Sequence, residues 1–208
     1  MLRNRPIRRW HAALVPIALL ASTPAHAHLV STRFGEFYAG LLHPLTTLSH
    51  VVPWVALGLL AAVQGIRGAR WNLLAFPLAV AIGVLLGSWL PGFDAGLQWG
   101  NIASIVLLGA LLATAVALPM PAFLGLSVLF GLSHGYTNVV SELEGRALLL
   151  YTTGVACAGY LLVALLGAGA LVVVRQNWGL VAVRALGSWI LAAGVIFAGF
   201  SLLGQPGA

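Results

Sequence analysis

Apolar runs long enough to cross a lipid bilayer constrain this chain more than any other feature. The hydrocarbon core needs about 20 apolar residues per helix, and such runs lie near 35–63, 71–90, 97–118, 121–140, 146–173 and 184–204. Lipid offers no partners to backbone N–H and C=O groups, so a spanning segment must satisfy them within a helix or a closed barrel. The strict apolar and polar alternation of barrel strands is missing. The runs therefore predict an all-α fold, an integral membrane helical bundle of about six transmembrane helices. With 61% of residues hydrophobic and 7% charged, too few charges remain to cover a water-soluble domain of this size.

Ahead of the first run stands a segment of different character. Arg3, Arg5, Arg8 and Arg9 precede an apolar stretch from Ala12 to Ala21, which ends in the small-residue sequence Ala25-His26-Ala27. That stretch is too short to span, and its three parts read as a cleavable signal peptide over residues 1–27. Residues 28–208 then form a single transmembrane domain, with His28 as the mature N-terminus outside the cytoplasmic membrane.

The formal charge of +6 points to nucleic acid only until it is mapped. Once the leader is removed, six Arg face the four acids Glu36, Asp94, Glu142 and Glu144, a net of +2 scattered over short loops. This excludes a nucleic-acid surface. Arg67, Arg70, Arg175 and Arg184 occupy loops alternating with those that hold Asp94, Glu142 and Glu144, and the positive-inside rule assigns the Arg loops to the cytoplasm. The expectation is a multi-pass protein of the cell inner membrane with both mature termini periplasmic. Trp71, Trp89, Trp99 and Trp178 fall at predicted span ends, where indole rings anchor to the interface. Gly83 and Gly87, and Gly131 and Gly135, have the GxxxG spacing of close helix contacts. Cys157, between two alanines in an apolar run, reads as a small packing residue.

Polar side chains inside lipid cost free energy, so each one that remains calls for a reason. His43 and His50 bracket the segment His43-Pro44-Leu45-Thr46-Thr47-Leu48-Ser49-His50, inside a run longer than one span requires. Pro44 lacks an N–H and crowds the preceding turn, which predicts a helix break or fresh start near His43, with a short entry segment leading to a proper span. On an unbroken helix the two imidazoles would stand about 10 Å apart along the axis, too far to share one ion at about 2.0–2.1 Å from each nitrogen. The second cluster, Ser133-His134-Gly135-Tyr136-Thr137-Asn138, presents nitrogen and oxygen donors over little more than one turn. Plainer readings stand beside these: an interhelical hydrogen bond for His50, a helix-entry residue at the interface for His43, and a remnant of the cleavage region for His28. Taken together, His28, His43, His50, His134 and Asn138 are the candidate metal ligands, and neutral imidazole without thiolate suits nickel, cobalt, copper or zinc.

These residues bring out a likeness. The chain resembles the HupE/UreJ family of small membrane proteins, whose members have a signal peptide, a histidine-rich mature start, and the motifs HPxxGxDH and HGxAHG followed by a Glu. The first motif matches His43 to His50 and the second His134 to Ser141. Ser49 stands where the first motif has Asp and Thr47 where it has Gly. Asn138 replaces the second motif's second His, and Ser141 stands where the Glu is expected, with Glu142 one residue away. The resemblance implies a permease for nickel or cobalt that supplies metalloenzymes such as hydrogenase and urease.

The reading that follows is a transporter and not an enzyme. It needs no prosthetic group, since the divalent ion is cargo, and its surroundings are the lipid bilayer, with a homo-oligomer compatible with the same sequence. Two other classes share the histidines. One is an intramembrane zinc hydrolase, and the other a non-transporting accessory protein that binds metal or haem.

Overall fold

The computed structural model describes residues 35–203, so the expected signal peptide and His28 lie outside the described residues. Seven helices and no strands are found among them: α1 Glu36–Thr46, α2 Leu48–Val63, α3 Gly65–Trp89, α4 Asp94–Thr114, α5 Met120–Tyr136, α6 Gly145–Val173 and α7 Gly179–Leu203. The all-helical membrane fold follows from the apolar runs.

The break in the first run lies at Thr47, four residues past the position expected. Thr47 is extended, with φ −103° and ψ 109°, and α1 and α2 diverge there by 78°. Pro44 sits inside α1 and withholds an amide from the preceding turn, yet the helix continues to Thr46, where hydroxyls serve carbonyls left open at its end. Thr46 Oγ1 donates to the His43 carbonyl at 3.1 Å and Thr47 Oγ1 donates to it at 2.8 Å. With those carbonyls satisfied, the backbone can leave the helix inside an apolar surrounding. α1 then turns away from the α2 axis and packs against α6.

By length and apolar composition, four to five candidate spans are found among the described residues, against the six or so expected. α3, α4, α6 and α7 are each long and apolar enough to cross, and the bent α1–α2 pair makes a fifth if taken as one span. α5, with 17 residues, is at the lower limit for a crossing, and it runs from the end where Leu118 meets Gln64 to the end where Tyr136 meets Leu90 and Phe93. The run near 121–140 does not continue it, because beyond Tyr136 the backbone turns, with Asn138 N–H on the Gly135 carbonyl and Val139 N–H on that of Tyr136.

The two GxxxG pairs face each other. A Cβ on Gly83 would lie 2.9 Å from Gly135 Cα, and one on Gly131 would lie 2.9 Å from the Phe76 carbonyl oxygen. Only bare glycine lets α3 and α5 approach so closely, which is what small-residue spacing achieves in lipid. The interior is filled by Trp54, Phe76, Phe123, Leu57 and Leu60, all buried, whereas Trp71, Trp89, Trp99 and Trp178 are exposed.

Side chains fix which connections share an end of the bundle. Gln64 Nε2 donates to Val116 O at 3.0 Å while its Oε1 accepts from Leu118 N at 2.7 Å, tying the α2–α3 junction to the α4–α5 loop. Arg184 Nε donates to Ala113 O at 2.9 Å at that same end. At the other end, Tyr136 OH accepts from Phe93 N at 3.2 Å and donates to Leu90 O. The candidate site lies toward this second end.

Candidate metal site

The break at Thr47 starts α2 two residues before His50, and this places the imidazole at the inner wall of the bundle. His50 is buried, and its Nδ1 stands 3.0 Å from Nδ1 of His134, contributed by α5. His134 is fully buried, and its Nε2 lies 3.0 Å from Ser104 Oγ on α4. Three helices thus meet through two imidazoles and a hydroxyl.

Asn101, one turn before Ser104 on α4, anchors the surroundings. Its Nδ2 donates to Thr137 Oγ1 at 2.7 Å and its Oδ1 accepts from Ser133 Oγ at 2.6 Å, so one amide clamps the polypeptide on both sides of His134. Its backbone carbonyl accepts from Ser104 Oγ at 2.6 Å. Trp54 closes the opposite side, with its ring centroid 6.4 Å from His50, 6.5 Å from His134 and 5.3 Å from Phe76.

The remaining candidates fall at different depths. His43 is half-buried on α1, with its ring centroid 6.3 Å from that of His50 and 6.4 Å from that of Tyr151. The break brings these two rings closer than a continuous helix allows. Asn138 is buried, and its Nδ2 donates to the His134 carbonyl at 2.7 Å while Oδ1 has no hydrogen-bond partner among the described residues. Tyr151 OH donates to the Asn138 carbonyl at 2.9 Å, completing the link to α6.

A cavity of about 270 Å³ opens beside this cluster, lined by Ser49, His50, Asp94, Gln98, Asn101, Ile102, Thr137 and Phe197. Of the described histidines, His50 alone lines it. Among the described residues no three of His, Cys, Asp and Glu gather closely enough to hold one ion between them. The cluster is therefore an imidazole pair beside a polar cavity, not a closed multidentate cage.

Several of these residues were not singled out from sequence. Asn101 and Ser104 are uncharged and scattered in an apolar run, where the signal was their spacing of three on one helical face. Asp94 reads as a loop charge because it begins α4, and only the fold sets it in the wall of the cavity that His50 also lines. Tyr151 carried no signal.

Comparison with known proteins places the chain. The protein HupE of Rhizobium leguminosarum bv. viciae is 31% identical over 122 residues, covering 58% of this chain and 62% of that protein. The chain thus aligns with less than two thirds of the length of that relative. No solved structure matches. The family model described as HupE / UreJ protein matches residues 16–197, a stretch that contains the entire imidazole cluster and the cavity beside it. This chain belongs to the HupE/UreJ family.

Proposed function

We propose that this protein is a secondary permease of the cell inner membrane, which takes up nickel or cobalt at the cavity beside His50 and delivers it for metalloenzyme maturation. The observation that carries this reading is the buried His50–His134 pair, set at a broken helix and beside a polar cavity. Irregular backbone at membrane depth is tolerated where it lines a cavity, and broken helices around a midplane ion site are a recurring transporter device. Imidazole suits nickel and cobalt. A transported ion must also leave, so binding has to be favourable but not deep. A site short of three converging strong ligands meets that condition better than it meets the needs of an intramembrane zinc hydrolase, whose ion rests on three protein ligands.

The Arg67, Arg70 and Arg184 end would face the cytoplasm by the positive-inside rule. The cavity would then open to the periplasm, with both mature termini on that side. No phosphate-binding loop ending in GK[ST] occurs in the sequence, and a gradient or membrane potential would supply the driving force.

Uptake of radioactive nickel and cobalt into proteoliposomes tests the reading. The native protein should accumulate the ion, and His50→Ala should fall to the level of empty vesicles while still inserting in the membrane. Equal uptake by both proteins would defeat the proposal, and a Soret band in the purified protein would favour the haem-binding alternative.

A further inference from the structure

The hydrogen bonds around His134 run in one direction, and that direction decides which imidazole can meet an ion. Ser104 has a single hydroxyl proton, committed to the Asn101 carbonyl, which can only accept. Ser104 Oγ must therefore accept from His134, which puts the proton of that ring on Nε2. A neutral imidazole protonated at Nε2 has its lone pair on Nδ1. His50 Nδ1, 3.0 Å away, must then be the donor. The relay reads His50 Nδ1–H to His134 Nδ1, His134 Nε2–H to Ser104 Oγ, and Ser104 Oγ–H to the Asn101 carbonyl. Every donor and acceptor in it is used, and the one ring nitrogen left with a lone pair is His50 Nε2.

From this we infer, resting on the transport reading above, that the cargo is held by His50 Nε2 and the Asp94 carboxylate across the cavity, with His134 as a positioning residue that never touches the ion. Both nitrogens of His134 are spent inside the relay, and it does not line the cavity. His50 and Asp94 do, from α2 and α4. Ser49, at the motif position otherwise held by Asp, lines the same cavity with a hydroxyl side chain, so among the described residues Asp94 is the one carboxylate lining it. A volume of about 270 Å³ leaves room for several waters beside the ion. The cargo is thus a partly hydrated divalent cation bound by one imidazole and one carboxylate, in a cavity that Gln98 and Thr137 also line.

Histidine tautomers and metal affinity give independent readouts on the full-length protein in lipid nanodiscs. Without metal, nitrogen-15 spectra should show His50 protonated at Nδ1 and His134 at Nε2, and Ser104→Ala should mix the two tautomers. In titrations with nickel or cobalt ions alone, His50→Ala should abolish binding. His134→Ala should weaken it by about 10- to 100-fold, the usual effect of losing a ligand's orienting partner. His134→Gln, which keeps an acceptor and a donor, should recover most of that loss. Asp94→Asn should weaken binding by at least about tenfold, on the same scale, without moving the tautomers, and Asp94→Glu should restore it. A His50 ring protonated at Nε2 would overturn the assignment, as would native affinity in Asp94→Asn or a His134→Gln as inert as His50→Ala. If the native protein binds neither ion, the transport reading fails too, whatever the tautomers show.

Discussion

His50 and His134, 84 positions apart in the chain, share a buried hydrogen bond between their Nδ1 atoms at 3.0 Å. Truncating either ring strands the other away from water, which costs about 1–3 kcal/mol for the unsatisfied group. Because the two losses describe one interaction, the double alanine variant should be less destabilised than the sum of the singles, by about 0.5–3 kcal/mol. Equilibrium unfolding of the four proteins in lipid or detergent checks this. Strict additivity would mean that the contact carries no coupling energy.

Asn101 should matter more to the fold of the site than its modest chemistry suggests. Asn101→Leu keeps the volume but releases Ser133 Oγ and Thr137 Oγ1 from their shared partner. The expected loss is about 1–3 kcal/mol. Ser188→Ala, which removes an exposed hydroxyl bonded only within its own helix, should stay within about 0.5 kcal/mol of the native protein. Thermal unfolding of the two variants side by side reads the difference.

The contrast between these residues shows what could be read before folding. Apolar runs revealed the helices because lipid imposes one length and one hydrogen-bonding solution on every span. His43, His50 and His134 stood out because an ionisable ring in such a run is costly. Asn101 and Ser104 raise no such alarm, and their role exists only once α4 lies against α5. Asp94 looks like any loop acid until the same packing turns it into a cavity wall. The shortness of α5 was hidden for a related reason, since hydropathy continues past Tyr136 although the backbone has turned. Pro44 announced a break, but the break falls at Thr47, where the Thr46 and Thr47 hydroxyls hold the His43 carbonyl.

Glycine contacts between α3 and α5 make a sharp pair of expectations. Gly83→Leu would drive a side chain into the Leu132 carbonyl and Gly135 backbone, atoms that cannot rotate away. Such overpacking costs about 1–3 kcal/mol or more, and the variant should yield little monodisperse protein. Gly125→Ala, also on α5, meets nothing within 4 Å, and alanine's better helix propensity should leave stability unchanged or raised by up to about 1 kcal/mol. Size-exclusion profiles after extraction distinguish the two, and a well-behaved Gly83→Leu would contradict the close approach.

The bend between α1 and α2 admits a direct geometric test. If Pro44 and the Thr47 hydroxyl hold it, Pro44→Ala/Thr47→Ala should let residues 36–63 relax toward one continuous helix. At 1.5 Å per residue, positions 38 and 63 would be about 37 Å apart along a straight helix and about 30 Å apart around the observed bend of 78°. Spin labels at Tyr38 and Val63, with Cys157 replaced by Ala, report that separation by pulsed electron resonance. The double variant should shift toward the longer distance, and straightening should separate the His43 and His50 rings, now 6.3 Å apart between centroids. Thr47→Ala alone should keep the shorter distance, since Pro44 still withholds its amide from the preceding turn. An unchanged distance in the double variant would assign the bend to the packing of α1 against α6, and the sequence around His43 would then be a consequence of that docking and not its cause.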